Sequence, residues 1–109
     1  MKYELKLSGH FQKEAKKLIK KYPSLKTELA DLRNNLIENP ELGTPIGLSC
    51  YKIRLAIASK GKGKSGGARV ITHIFVSGKT VYLLTIYDKS EQETISDKEL
   101  ASLLQEIIG

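Results

Sequence analysis

The sequence predicts an α+β fold in one domain, residues 1–109, with its helices packed against one face of a small, mainly antiparallel sheet. Apolar and polar residues alternate at the start of the chain and again from Tyr51, which is the period of a half-buried strand. Between these segments, and again at the end of the chain, apolar residues recur every three or four positions, as on one face of a helix. A length of 109 residues is typical of a single domain.

The first half of the chain contains one predicted strand and two predicted helices. Apolar and charged residues alternate over residues 3–7 and predict the strand. Ser8 is placed to cap the first helix, and Ser24 is placed to cap the second, which ends near Pro40. So short a connection between the two helices predicts an antiparallel hairpin. Residues 40–49 contain several Gly and Pro residues and are expected to form a loop.

Three further strands form a predicted antiparallel meander. In the strand over residues 51–57, Lys52 and Arg54 point away from the core side. The strands Arg69–Val76 and Thr80–Tyr87 are joined by a tight hairpin. Consecutive strands with such short connections are expected to lie side by side.

The last helix has a clear start signal. Ser96 and Glu99 have capping-box spacing, directly ahead of an apolar stripe that begins at Leu100. The predicted order of elements is therefore β-α-α-β-β-β-α. With every helix on one face, the other face, which carries Lys52 and Arg54, is expected to stay open to a partner.

The residue types disfavour several kinds of site. His10 and His73 form no metal-ligand pattern, so no metal or cofactor is expected and His73 is interpreted as structural. Cys50 has no disulfide partner and is interpreted as a core residue, because no nearby histidine or acid is expected to activate it. No segment stays apolar for the ~18–20 residues that cross a membrane, and no signal peptide is apparent, so the cytoplasm is expected.

Positive charge is concentrated in one block of the chain. The formal net charge is +6, and residues 49–89 hold eight Lys or Arg residues against one acid, Asp88. Gly63-Lys64-Ser65 imitates the end of a phosphate-binding P-loop, but Ala58 stands where that motif needs glycine, and a strand follows where it needs a helix. A nucleotide-binding loop is therefore disfavoured, whereas a polyanionic partner such as nucleic acid is favoured.

The Lys/Gly segment of this block, residues 60–67, has two interpretations. One is a solvated connection between strands, since Gly and Lys are common in loops. The other is a basic arm in which Lys60, Lys62 and Lys64 grip a phosphate backbone beside Arg54 and Arg69. The flanking arginines favour the second interpretation.

The meander also predicts a cluster at one end of the sheet. The end of the last strand returns towards the start of the strand before it, so Tyr87 and Lys89 should lie near Arg69. Alone, Tyr87 is typical of a packing residue, but beside cations it can transfer a proton or stack on a base.

Three segments, Cys50–Leu55, Arg69–Ile71 and Ile86–Lys89, resemble the core of RelE-type toxins of the RelE/ParE superfamily. The order of predicted elements is also similar, so the resemblance covers nearly the whole chain. The Lys/Gly segment is similar to a longer arm found among HigB- and RelE-like members. The resemblance implies a toxin of a toxin-antitoxin pair, with a cognate antitoxin, messenger RNA and the ribosome as partners.

The resemblance further implies a metal-independent endoribonuclease that cuts messenger RNA in the ribosomal A site with cations and an aromatic residue. Four residues match the cations of the family's site: Lys52, Arg54, Arg69 and Lys89. The tyrosine that RelE carries in the segment after the last cation falls near Ile95 here, which cannot transfer a proton. Tyr87 is expected to replace it.

The implied chemistry suits these residues. Attack of a ribose 2′-hydroxyl on its own 3′-phosphate builds negative charge that fixed cations stabilise. Arg69 is the expected phosphate clamp, with Lys52 and Arg54 as its partners or as the base. Tyr87 and Lys89 are expected to orient and protonate the leaving oxygen. Two other functions stay open: a ParE-like protein that binds DNA gyrase without chemistry, and a nucleic-acid-binding module without catalysis.

Overall fold

The computed structural model describes residues 3–61, 63 and 66–108. The strands are β1 (Glu4–Leu7), β2 (Thr44–Gly47), β3 (Cys50–Leu55), β4 (Ala68–Phe75) and β5 (Thr80–Asp88), and the helices are α1 (Gly9–Lys21), α2 (Leu25–Glu38) and α3 (Asp97–Ile108). A 3₁₀ turn, Ala58–Lys60, lies between β3 and β4. The α+β class is confirmed, and the predicted order holds with β2 as an addition.

The sheet has the order β1-β5-β4-β3-β2. β3, β4 and β5 form the predicted antiparallel meander, and β1 lies parallel to β5 on its other side. The prediction of a loop over residues 40–49 is corrected by β2, in which Thr44 pairs with Lys52 of β3. Pro45 has no backbone N–H to donate, so this strand suits the sheet edge that it occupies, and it lacks the usual sequence signal.

α1 and α2 form the predicted hairpin on one face of the sheet. The Phe11 N–H donates to Ser8 Oγ at 3.0 Å, which confirms the predicted N-cap of α1. Ser24 precedes α2 but makes no capping bond, and its hydroxyl instead donates to Glu28 at 3.2 Å. The interface with the sheet includes the buried residues Phe11, Leu18, Leu25, Leu36, Ile53, Val70 and Ile86. Within the described part of the chain, no helix is long and apolar enough to span a bilayer.

α3 packs on the opposite face, which corrects the expectation that every helix shares one face. Leu100 of α3 belongs to a buried cluster with Ile71 and Tyr87, whereas their sequence neighbours Val70 and Ile86 face the hairpin. β4 and β5 are therefore apolar on both faces, which is the pattern of strands covered from both sides. The face that carries the predicted site is partly closed by this helix.

Candidate active site

Arg54, Arg69 and Tyr87 lie side by side on the three strands of the meander. Arg54 of β3 is opposite Arg69 of β4, and Arg69 is opposite Tyr87 of β5. Directly opposed residues on antiparallel strands have Cβ atoms about 4.5–5.5 Å apart, so the three side chains are neighbours. The register thus places Tyr87 beside Arg69, as the meander predicts, and we call these three residues the cation row.

Two lysines flank the cation row. Lys52 lies two positions before Arg54 on β3, so both side chains point to the same face of the sheet. Lys89 follows β5, and its N–H donates to the carbonyl of Gly67 at 3.0 Å. The Lys89 ammonium lies 3.6 Å from the Glu93 carboxylate, and its side chain is 30% exposed. Lys89 is therefore accessible, although an acid offsets part of its charge.

The members of the cation row differ sharply in exposure. Arg54 is exposed, whereas Arg69 is 3% and Tyr87 is 7% exposed. Arg69 faces away from the α1–α2 hairpin, on the side of the sheet that α3 partly covers. Arg69 Nη1 also donates to the carbonyl of Ala68 at 3.1 Å. Arg54 is therefore the member of the row that solvent and ligands meet first.

The phenol of Tyr87 keeps its proton at neutral pH. Burial raises the pKa of Tyr87, the neighbouring Arg69 opposes the rise, and Glu99 of α3 adds to it. The hydroxyl has no hydrogen-bond partner among the described residues. A protonated and unengaged hydroxyl beside a guanidinium is a suitable donor to an oxygen that gains negative charge.

Asp88, at the end of β5, directly follows Tyr87 and forms a buried cluster that the sequence patterns did not indicate. Its side chain is fully buried, and the carboxylate accepts hydrogen bonds from the Lys60 ammonium, the Tyr22 hydroxyl at 3.0 Å and the Ser90 N–H at 3.0 Å. Burial acts to raise the pKa of Asp88, but the bonds from Lys60, Ser90 and Tyr22 outweigh it and hold this pKa well below its usual range. The one sequence feature that sets Asp88 apart is that it is the only acid among residues 49–89.

The placement of Lys60 corrects the predicted basic arm. Its side chain is only 8% exposed, because the ammonium is paired with Asp88 and also donates to Ser90 Oγ at 3.1 Å. Lys60 is thus held inside the protein in this arrangement and does not present its charge to a phosphate. Lys62 and Lys64, the other two predicted contacts, lie outside the described residues.

A second row crosses the same strands at their other end. Cys50 of β3 is opposite His73 of β4, which is opposite Tyr82 of β5, and we call these three residues the thiol row. Cys50 Sγ lies 3.6 Å from His73 Nδ1, which corrects the expectation that no histidine lies nearby. His73 Nδ1 is also 3.1 Å from the carbonyl oxygen of Leu48. Because a carbonyl oxygen only accepts hydrogen bonds, this contact requires that Nδ1 carry a proton.

The thiol row is not set up for nucleophilic chemistry. Burial raises the pKa of Cys50 to about 11. Burial lowers the pKa of His73, and the bond to the Leu48 carbonyl opposes this only in part. A neutral thiol beside a neutral imidazole is not an activated nucleophile, so Cys50 is a core residue as predicted. Among the described residues, no three His, Cys, Asp or Glu side chains are arranged to hold a metal ion.

The fold is similar to that of solved RelE structures from E. coli. An arginine-to-alanine double mutant of E. coli toxin RelE in the free state matches with a TM-score of 0.61 and 20% identity, covering 99% of this chain and 100% of that chain. RelE in the intact E. coli RelBE toxin-antitoxin complex matches with a TM-score of 0.61 and 20% identity, covering 79% and 95%. The same double mutant bound to a peptide of the antitoxin RelB matches with a TM-score of 0.62 and 21% identity, covering 89% and 98%. At these identities the likeness shows a shared fold.

The family follows from the sequence itself. Residues 6–107 match the model of the RelE toxin of the RelE/RelB toxin-antitoxin system. The match contains β3, β4 and β5 entire, and with them both rows and both flanking lysines. Because it spans nearly the whole chain, this protein belongs to the RelE toxin family.

Proposed function

We propose that this toxin is a metal-independent endoribonuclease that cuts messenger RNA on the ribosome and so arrests translation. The observation that carries the proposal is the cation row, which sets two guanidinium groups and a protonated phenol on adjacent strands. Cleavage by attack of the ribose 2′-hydroxyl requires charge stabilisation and proton transfer at one phosphate, and these residue types supply both.

The exposed and buried members of the row take different parts in this proposal. Arg54 is exposed and contacts the non-bridging oxygens of the phosphate directly. Arg69 lies beside it and beneath the surface, where a fixed charge costs no reorganisation during the reaction. Lys52, on the same strand as Arg54, orients the attacking 2′-hydroxyl or accepts its proton. In this proposal Arg54 is the partner of Arg69 in the phosphate clamp.

Tyr87 and Lys89 act on the leaving oxygen. Tyr87 holds its proton, and its hydroxyl is buried without another hydrogen-bond partner among the described residues, so a leaving oxygen that reaches it would supply the missing acceptor. Lys89 is more exposed and places a second donor at the end of β5. Lys62 and Lys64 remain proposed contacts to the RNA backbone, whereas Lys60 is left out because its ammonium is paired with Asp88.

A cognate antitoxin is the proposed protein partner. Solved structures with this fold include RelE bound to the whole antitoxin RelB and to a peptide of it. A small open reading frame beside the gene for this chain is the expected source. Its product should co-purify with the toxin and restore growth when the two are expressed together.

Transcript mapping tests the proposed reaction. The protein is induced briefly in bacteria, and new 5′ ends of messenger RNA are mapped. We expect cuts inside translated regions, and Arg54→Ala should reduce their frequency about 10²- to 10³-fold, the usual effect of removing one group that stabilises a developing oxyanion. Arg33→Ala is the matched control, because Arg33 is an exposed arginine on α2, remote from the cation row in sequence and on the other face.

Two results would refute the proposal. Arrested growth with intact transcripts would instead favour a ParE-like action on gyrase. Equal cutting by Arg54→Ala and Arg33→Ala would remove the cation row from the reaction, even if RNA is cut.

One observation favours a second candidate, a nucleic-acid-binding module without catalysis. Arg69 and Tyr87 are almost fully buried, and Arg54 and Lys89 are enough for salt-dependent binding to a phosphate backbone. Binding of ribosome-bound RNA without new 5′ ends would support this candidate.

A further inference from the structure

Asp88 gathers donors from three separate parts of the chain. Lys60 comes from the turn after β3, Tyr22 follows α1, and Ser90 follows β5. Besides the bonds from Lys60, Tyr22 and the Ser90 N–H, the carboxylate accepts a hydrogen bond from Ser90 Oγ at 2.8 Å. The Lys60 ammonium also lies over the Tyr22 ring, 5.7 Å from its centroid. One buried carboxylate thus joins α1, the β3–β4 connection and the end of β5.

A buried ion pair of this kind is weak evidence of a contribution to stability. The side chains of Lys60 and Asp88 are 8% and 0% exposed, so both charges have lost their water. Removing water from two charges offsets most of their attraction, and apolar residues of similar volume often serve stability equally well. The Lys60–Asp88 pair is therefore better explained by the local arrangement that it enforces than by a gain in stability.

That arrangement concerns two points of the segment between β3 and β4. Lys60, the last residue of the 3₁₀ turn in this segment, is bonded to Asp88, and Gly67, at the end of the segment, accepts a hydrogen bond from the N–H of Lys89. A side chain at Gly67 would place its Cβ 2.1 Å from the carbonyl oxygen of Leu55, so the chain passes β3 too closely for any other residue. Lys60 and Gly67 are therefore attached to the two residues that follow Tyr87.

We infer that Lys60 and Asp88 form a clasp of positioning residues, which holds the 3₁₀ turn of the β3–β4 segment against the end of β5 and, together with the bond from Lys89 to Gly67, aligns Arg69, Tyr87 and Lys89 on one phosphate. Neither residue touches the substrate. Arg69 lies two residues after Gly67 in the sequence. Tyr87 and Lys89 are the direct sequence neighbours of Asp88. The catalytic part of this inference rests on the proposed ribonuclease function, whereas the clasp itself does not.

The chain offers a matched control for the clasp. Lys21 and Glu91 form an ion pair of 3.3 Å at the same end of the molecule, with side chains 56% and 63% exposed. Lys21 also lies 5.4 Å from the centroid of the Tyr22 ring, and so has the same aromatic neighbour as Lys60. Lys21→Met and Glu91→Gln repeat the charge changes of Lys60→Met and Asp88→Asn at the surface, where an ion pair contributes little.

Single-turnover cleavage of a defined messenger RNA on purified ribosomes separates positioning from binding. Asp88→Asn and Lys60→Met should each slow the cleavage step by about 10²-fold, the usual result of a displacement of about 1 Å at a reacting centre. The ribosome concentration for half-maximal rate should stay within about twofold, because the exposed cations that bind RNA are unchanged. Lys21→Met and Glu91→Gln should cut at the normal rate.

The double variant Lys60→Met/Asp88→Asn distinguishes positioning from a purely structural role. It should melt at a higher temperature than either single variant, because no uncompensated charge stays buried, but it should still cut slowly. Recovery of the cleavage rate together with the melting temperature would overturn the inference. Normal cutting by Asp88→Asn would overturn it as well.

Amide hydrogen exchange tests the clasp without any reference to cleavage. Asp88→Asn should raise the exchange rates of the Lys89 and Ser90 amides at least about tenfold, because local opening at the end of β5 is no longer resisted. Glu91→Gln should leave both rates unchanged. Equal protection in wild type and Asp88→Asn would refute the clasp. If the wild type cuts no RNA, the proposed function fails, and the exchange rates alone decide the clasp.

Discussion

The two rows across β3, β4 and β5 differ in how burial affects the charge of their side chains. The thiol row, Cys50, His73 and Tyr82, contains the residue types of a cysteine nucleophile and its base. Burial raises the pKa of Cys50 to about 11 and lowers that of His73, so both are neutral at physiological pH. The cation row has no such pair, yet burial does not neutralise its Arg69, because a guanidinium does not lose its proton in proteins.

The comparison shows that burial selects which residue types remain useful. Burial of a thiol and an imidazole favours the neutral forms and removes the ion pair that activates cysteine. Arg69 is buried, and the lower local dielectric constant there would strengthen the interaction of its guanidinium with any neighbouring anion. On one sheet face, the same physical change therefore suppresses one row and strengthens the other.

Substitution of the tyrosine in each row should produce the largest difference in cleavage rate between the rows. Tyr87→Phe should slow cleavage by about 10²- to 10⁴-fold, the range for loss of a general acid, whereas Tyr82→Phe should have no effect. The two variants remove the same hydroxyl from the same strand. The measurement is the single-turnover rate on ribosomes loaded with a defined messenger RNA.

Thermal unfolding of the same variants excludes a trivial cause. The Tyr87 hydroxyl has no hydrogen-bond partner among the described residues, so Tyr87→Phe should be at least as stable as the wild type. A large loss of stability would mean that the hydroxyl has a structural partner. Normal cutting by Tyr87→Phe would leave Lys89 as the proton donor.

Sequence periodicity predicted the meander and the hairpin, but it could not predict the rows in full. Tyr82 and Tyr87 are five residues apart and should alternate to opposite faces. They share a face because the register shifts between Ile71 and Thr72, which leaves Leu84 as an extra residue on β5. A bulge of one residue leaves no clear mark in a pattern of apolar residues.

Long-range contacts account for the rest of what the sequence did not show. An apolar stripe on α3 indicates that the helix is buried, but not on which face of the sheet, since β4 and β5 are apolar on both. Lys60 resembles the other lysines of its segment, and only the distant Asp88, a lone acid in a basic block, distinguishes it. Charge counting located the block of the chain that holds the cation row, whereas burial decides which of its cations are exposed.

Titration of Cys50 tests the inactive side of the comparison. The ultraviolet absorbance of the thiolate, with Cys50→Ala as the blank, should show no midpoint below about pH 10 in the folded protein, because burial raises the pKa to about 11. The unfolded chain in denaturant is the control and should titrate near the ordinary thiol pKa of about 8.5. A folded-state midpoint at or below that value would mean that His73 activates the thiol after all.

The smallest predicted effect is a gain in stability from a substitution at Leu48, in the turn before β3. Leu48 has a φ of 57° and is 61% exposed, so its side chain gains little from packing while its backbone lies in the left-handed region. Leu48→Asn should stabilise the protein by up to about 1 kcal/mol, since asparagine tolerates this conformation better than leucine. Leu7→Asn is the control, because Leu7 is 46% exposed in the ordinary backbone of β1 and should give no gain. The Leu48 carbonyl, which His73 Nδ1 contacts at 3.1 Å, is retained in the variant. The thiol titration should therefore stay unchanged while the denaturation midpoint rises, which would show that burial, and not strain in the turn, keeps this row neutral.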